Sequence, residues 1–317
     1  RKKWLGRYVD LSNGIPSHDT FGRVFAQLDP REFEKSFLSW IRGVYQKTEG
    51  EVIAIDGKTL RGSRRSRRGQ EALHLVSAWA SANHLLLGQV ETDETSNEIE
   101  AVPRLLEILE LKGCIVTLDA MGCQTEIVEK IREKKADYVV ALKGNQGTLH
   151  EDAKRYWEDS QLPRSEYDEY ETVEKGHGRI EIRKYRVTDK IEWLGPRKDW
   201  KDLRSMAMVE HQREIGCHKS VERRYYLTSL KAQAREVAKA IRTHWEIENK
   251  VHWCLDVTFR EDQSTVWVKA AARNFALLRR LAMNMLRKET STKRSINMKR
   301  HVASWNPEYL ELVLAIN

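Results

Sequence analysis

Long apolar runs are absent from this 317-residue chain. Stretches such as Leu85-Leu86-Leu87 fall far short of the roughly 20 apolar residues of a spanning helix, so no membrane partner is expected. Cysteine is scarce. Its four residues, Cys114, Cys123, Cys217 and Cys254, form no Cys-x-x-Cys pair and no disulfide framework. That scarcity argues against a disulfide-stapled secreted fold, and Cys114 and Cys123 read as small core residues in a reducing cytosol. His211, Cys217, His218, His252 and Cys254 match no standard zinc spacing. No signal peptide is expected, because Arg1-Lys2-Lys3 runs straight into mixed sequence. Internal repeats and low-complexity tracts are missing too.

What is abundant is charge. Hydrophobic residues make up 40% and charged residues 32%, the balance of a globular protein with a heavily charged surface. Lys and Arg outnumber Asp and Glu by 55 to 47, a formal charge of +8, which favours a polyanionic partner such as nucleic acid.

The coarse order of elements predicts a mixed α/β protein. Residues 1–48 read as a helical segment, with Ser17 or Asp19 as candidate caps. Residues 49–158 carry strands at Glu51 to Asp56, His74 to Ala80, Leu85 to Glu91, Gly113 to Asp119 and Tyr138 to Leu142. Helices are predicted from Ser96 to Leu111 and from Gln124 to Lys135. The expectation is a mixed five-stranded sheet with flanking helices. Residues 159–230 alternate apolar and charged side chains, which suits a peripheral, half-exposed β-rich insertion. Helical texture returns over 231–290, and 291–317 reads as a basic tail.

Three acidic residues stand out. Asp56 closes the run Val52-Ile53-Ala54-Ile55, and Asp119 closes Ile115-Val116-Thr117-Leu118 in the same way. Carboxylates at such strand ends emerge at the sheet edge where open α/β sheets place their chemistry. Glu248 lies in a helical stretch, His244 to Asn249. Two strand-end aspartates and a helix glutamate suit a pair of divalent ions acting on a phosphodiester. Mg²⁺ takes oxygen ligands and keeps several waters, so a few carboxylates suffice. A single strand-end Asp is more often a solvated turn or helix cap; the weight rests on the combination. Glu246 competes with Glu248, since residues two apart lie about 200° apart on a helix and only one can face a site.

Basic residues cluster beside these acids. Arg61, Arg64, Arg65, Arg67 and Arg68 follow the first strand with no acidic residue among them, a pattern for backbone phosphates. Lys143 opens the turn Gly144-Asn145-Gln146-Gly147, which lacks the Gly-Lys-Ser/Thr of a nucleotide loop.

Ile53 to Ser63 resembles the first-aspartate block of DDE-type insertion-sequence transposases, specifically the H-repeat-associated group. So do Ser96-Asn97-Glu98-Ile99, Thr117 to Gln124, Ala141 to Leu149 and Gly176-His177-Gly178-Arg179, while Thr243 to Phe259 resembles the third-carboxylate helix. The match is ordered and covers roughly residues 10 to 290. It implies a ribonuclease-H-like core and Mg²⁺-dependent cleavage and strand transfer at element ends, with Mn²⁺ as a substitute and no energy cofactor. The metal carboxylates it implies are Asp56, Asp119 and Glu248, which settles the choice against Glu246. Expected partners are double-stranded DNA (terminal inverted repeats and target) and a second copy of the chain, in a bacterial cytoplasm at the nucleoid. The candidate DNA contacts are Lys58, Arg61, Arg64, Arg65, Arg67, Arg68, Lys143, His177, Arg179 and His244. Where the wider group has Tyr, Arg and Lys around the glutamate, this chain has Ile241, His244 and Leu255. Thr265 and Arg273 also depart from the pattern, standing where an Arg and an acidic residue are expected. The alternatives are a nuclease on the same core without strand transfer and a decayed, non-catalytic DNA-binding protein.

Overall fold

The computed structural model describes residues 2–64, 71–92, 98–176 and 178–315. The strands are β1 (Val52–Leu60), β2 (Leu73–Ala80), β3 (Leu85–Glu91), β4 (Ile115–Leu118), β5 (Asp137–Leu142), β6 (Asp168–Gly176), β7 (Arg179–Thr188), β8 (Ser205–Ile215) and β9 (His218–Thr228). They form one nine-stranded sheet in the order β3-β2-β1-β4-β5-β9-β8-β7-β6. The first three pair antiparallel, β1, β4 and β5 run parallel, and the rest pair antiparallel.

The sheet therefore has nine strands where the sequence predicts five. The β-rich segment is not a separate peripheral sheet, because β9 pairs with β5 from Val139↔Thr228 to Leu142↔Tyr225. The reason is burial: β5 is apolar over Tyr138, Val139, Val140 and Leu142, and an unpaired edge there would strand backbone N–H and C=O groups in the core. Side chains finish the seam. The Ser229 hydroxyl oxygen accepts from the Tyr138 amide at 2.9 Å, and the Thr228 hydroxyl donates to the Tyr138 carbonyl at 2.6 Å.

The N-terminal segment holds α1 (Lys2–Leu5), α2 (His18–Gln27) and α3 (Pro30–Val44). Ser17 caps α2 by accepting from the Thr20 amide, and Asp29 with Pro30 opens α3. On one sheet face lies α4 (Glu98–Ile108), and α5 (Thr125–Glu133) and α6 (Gly147–Glu158) follow β4 and β5. On the other face pack α7 (Ala234–His244) and α9 (Lys269–Lys288), joined through a π-helical turn, Ile247–His252, and the short α8 (Trp253–Val257). Residues 291–317, predicted as a basic tail, hold α10 (Ile296–Trp305) and α11 (Pro307–Leu314). These bury Val302, Ala303, Tyr309 and Val313 against Leu286. Lys299 is buried with them, its ammonium donating to the Leu286 carbonyl at 3.2 Å.

One contact of α9 closes the sheet edge. The Asn284 side chain accepts from the Leu86 amide at 2.9 Å and donates to the Leu86 carbonyl at 2.8 Å.

Candidate active site

The site lies where β1 outruns β4. Parallel pairing of the two stops at Ile55↔Leu118, but β1 continues to Leu60 against β2 alone, with Asp56 opposite Ser77. Asp56 thus sits in mid-strand, not at the strand end that its sequence context predicts. The antiparallel hairpin carries the chain onward and leaves a notch beside it. Asp119 follows β4 directly. Its Oδ1 accepts from the Met121 and Gly122 amides at 2.9 and 3.3 Å, which fixes one carboxylate oxygen. Glu248 is the second residue of the π-helical turn, whose Ile247 and Val251 are buried. Such turns add a residue to the helical repeat and re-aim the side chains around it.

Asp56, Asp119 and Glu248 line one cavity of about 440 Å³, with Lys143, Arg223, Arg224 and His244 also in its wall. Glu246 does not line it and instead pairs with Lys250 at 2.9 Å.

The electrostatics of this cavity are unbalanced. Burial, and then the charges of Glu98, Asp119 and Glu248, push Asp56 up to about 7. Asp119 is also raised, by burial and by Glu98, against the pull of the Gly122 and Met121 amides and of Lys143. The nearby histidines do not compensate. His252, whose Nδ1 lies 3.5 Å from Asp56 Oδ2, is pushed down to about 3 by burial and by Arg280 and Lys58. His244 bonds Thr117 Oγ1 through Nδ1 at 2.9 Å, and burial pushes it down to about 4. Crowded carboxylates flanked by neutral imidazoles form a place where positive charge is stabilising.

The donors are hard oxygens, which fit Mg²⁺ in kind. Among the described residues no three Asp, Glu, His or Cys side chains close on one point tightly enough to hold an ion. The carboxylates share a cavity, not a common ligation point.

The candidate DNA contacts have varied surroundings. Lys58 needs correction: its side chain is 7% exposed and held by Asp256 of α8 at 2.7 Å and by Asp262 of the turn before α9 at 3.3 Å. Arg61 is 84% exposed, with Asp262 only at 3.7 Å, and Arg64 is exposed. Lys143 is exposed at the cavity rim. Arg179 is bound to Glu181 at 2.8 Å. His244 is a cavity wall tied to Thr117, not a surface residue. Arg65, Arg67, Arg68 and His177 lie outside the described residues.

Residues 47–285 match the model of the transposase DDE domain, and residues 1–41 match that of its associated segment. This chain belongs to the DDE-domain transposase family. It is 41% identical over 319 residues to "Putative transposase YncI" of Escherichia coli O157:H7, covering 99% of this chain and 82% of that protein. It is 40% identical over 317 residues to "H repeat-associated putative transposase YhhI" of Escherichia coli K12, covering 98% and 84%. Among solved structures it is similar to a piggyBac transposase synaptic complex with hairpin DNA, at a TM-score of 0.43 and 11% identity over 98% of this chain and 67% of that one.

In this transposase the positions that depart from the group's pattern differ in their surroundings: His244 lines the cavity and Thr265 is exposed. Ile241 and Leu255 are core residues, and Arg273 pairs with Glu91 at 3.2 Å and Glu34 at 3.5 Å. The adjacent Asn274 donates to the Phe25 and Leu28 carbonyls, fastening the end of α2 to α9. Sequence reading gave no role to His74, whose Nε2 lies 2.8 Å from Glu98 Oε1. Glu98 itself stands in one of the resembling motifs.

Proposed function

We propose that this transposase cuts DNA at the ends of an insertion sequence and joins the freed ends to target DNA, with Asp56, Asp119 and Glu248 holding a pair of Mg²⁺ ions for which Mn²⁺ can substitute. The observation that carries this reading is that three carboxylates from β1, the turn after β4 and the π-helical turn line one cavity. Within the sheet, β1 to β5 in the order β3-β2-β1-β4-β5 are read as a ribonuclease-H-like core, with 159–230 as an insertion that extends it.

Once bound, the ions supply polarisation of the attacking water or 3′-hydroxyl and relief of charge on the leaving oxygen. The chain's own residues prepare the place. The Met121 and Gly122 amides orient Asp119, and Ile247 and Val251 anchor the turn that aims Glu248. Lys143, Arg223 and Arg224 at the cavity wall give the scissile phosphate a cationic border. Exposed Arg61 and Arg64, with the arginines that follow, extend it along the DNA backbone. Cutting two element ends together calls for two such centres, hence a homodimer on DNA, acting where the chromosome lies.

The test is incubation of the full chain with Mg²⁺ and labelled element ends. The expected products are nicked ends and joined strands. Nicks without joining would replace this reading with a nuclease, and binding without nicks with a non-catalytic DNA-binding protein.

A further inference from the structure

β1 is fastened to the segment that carries Glu248 at two points on one face. Asp56 and Lys58 are two residues apart on the strand, so their side chains leave it on the same side. Asp56 Oδ2 lies 3.5 Å from His252 Nδ1, and the Lys58 ammonium pairs with Asp256 Oδ1 at 2.7 Å. The two spacings match. Two residues of strand advance about 6.6 Å, and the four residues of helix from His252 to Asp256 advance about 6 Å. The helical segment is thereby held along β1 in register, with Glu248 about one turn before His252.

Lys58 has a second partner. Its ammonium lies 3.3 Å from Asp262 Oδ1, in the turn Glu261–Gln263. That turn is itself anchored, because Glu261 and Arg280 of α9 are fully buried and pair at 2.7 Å. Only 7% of the Lys58 side chain is exposed, and both of its partners are carboxylates. A buried ammonium so held is a fixed point. Without it, Asp256 and Asp262 would be neighbouring like charges with nothing between them.

We propose that Lys58 is a positioning residue of the cleavage reaction: its ammonium sets the register of the Glu248 segment against β1, and so the separation of Glu248 from Asp56. The proposal rests on the reading of Asp56, Asp119 and Glu248 as the reacting site. Lys58 acts through Asp256 and not on DNA, because a slip of α8 along β1 is carried back through the π-helical turn to Glu248.

Single-turnover cleavage of labelled element ends by the full chain tests it, using wild type, Lys58→Met, Lys58→Arg and Asp56→Asn, each also melted and titrated with the same DNA. Lys58→Met keeps the length of the side chain and removes its charge. The expected result is a cleavage rate at saturating DNA about a hundredfold lower, the scale on which a misplacement of about 1 Å is felt. The Mg²⁺ concentration for half-maximal rate should rise with it, while DNA affinity and its salt slope stay as in wild type. Lys58→Arg should recover most of the rate. If Lys58→Met does not melt cooperatively, Asp256→Asn takes its place with the same direction expected, since it cuts the link to α8 and leaves Lys58 its pair with Asp262. A saturated rate near wild type overturns the assignment, whatever the melting temperature. So does weaker DNA binding with a flatter salt slope at an unchanged rate, which would make Lys58 a phosphate contact. If Asp56→Asn cleaves like wild type, the reading of the site falls together with the assignment; if only the Lys58 variants do, the site stands and the assignment alone falls.

Discussion

The two halves of the nine-stranded sheet handle charge in opposite ways. From β6 to β9, acids and bases sit across from one another in register. Glu171 faces Lys184 and Glu169 faces Arg186 between β6 and β7, and Glu210 faces Arg223 between β8 and β9. Each pair is also an ion pair, at 3.6, 2.7 and 2.8 Å. Around the notch between β1 and β4, Asp56, Asp119 and Glu248 line one cavity, and burial pushes both aspartates above the usual carboxylate range. The extension spends its charge on its own pairing, as cross-strand neighbours do. The notch instead gathers carboxylates in a cavity whose wall also carries Lys143, Arg223 and Arg224, and acids perturbed in this way mark a candidate functional site.

The sharpest way to break this contrast is to neutralise the notch. Asp56→Asn or Asp119→Asn is expected to lower cleavage of labelled element ends by at least about a thousandfold. The reason is that several kcal/mol of charge stabilisation is lost at a factor of ten per ~1.4 kcal/mol. DNA binding in gel-shift titrations should stay near wild type; retained cleavage would remove the notch from the chemistry.

Breaking a pair in the extension should act on stability instead. Arg183 is 11% exposed and engages Glu174 at 3.0 Å and Glu181 more closely still. Arg183→Ala removes one of the two arginines that hold Glu181, leaving Arg179 at 2.8 Å, for an expected loss of about 2 kcal/mol in denaturant melts. A cost under about 1 kcal/mol would mean that these charges are as solvated as any surface pair.

The pH dependence of metal-free stability separates the regions further. Asp56 has its pKa raised in the fold, so the stability that comes from its neutral form is fully present below the ordinary carboxylate range. That stability is lost as pH rises to about 7. Melting temperature in chelator should therefore fall over that window, and Asp56→Asn should flatten the fall. An equal slope in the variant would place the effect elsewhere. The smallest effect is expected at the rim of the extension, where Lys184→Ala removes a half-exposed ion pair and should cost less than about 1 kcal/mol in the same melts.

Much of the core was legible because its signals are local. β-branched runs mark β1, β4 and β5, and the helix signals mark α4 and α5 to within a few residues. Asp56 and Asp119 could be singled out because each closes such a run, and the fold brings both to one cavity. What escaped is decided by distant partners. No pattern in Val139 or Leu142 announces that β9, nearly ninety residues on, will pair with β5. Lys58 reads as part of a basic loop until Asp256 and Asp262 arrive from another part of the chain to hold it. Glu98 looks like any acidic residue in a first helical turn until the fold sets it against Gly57. The π-helical turn left no trace in the hydrophobic period, because Ile247 and Val251 keep the spacing of an ordinary helix.

The Asn284 contact with Leu86 has a consequence for how copies of this chain can meet. β3 is one of the sheet's two terminal strands, and the amide of Asn284 does there what one more residue of strand would do. A neighbouring molecule that tried to add a strand at β3 would have to evict a helix first. At Leu86 the outer edge of β3 is thus already occupied from within the chain.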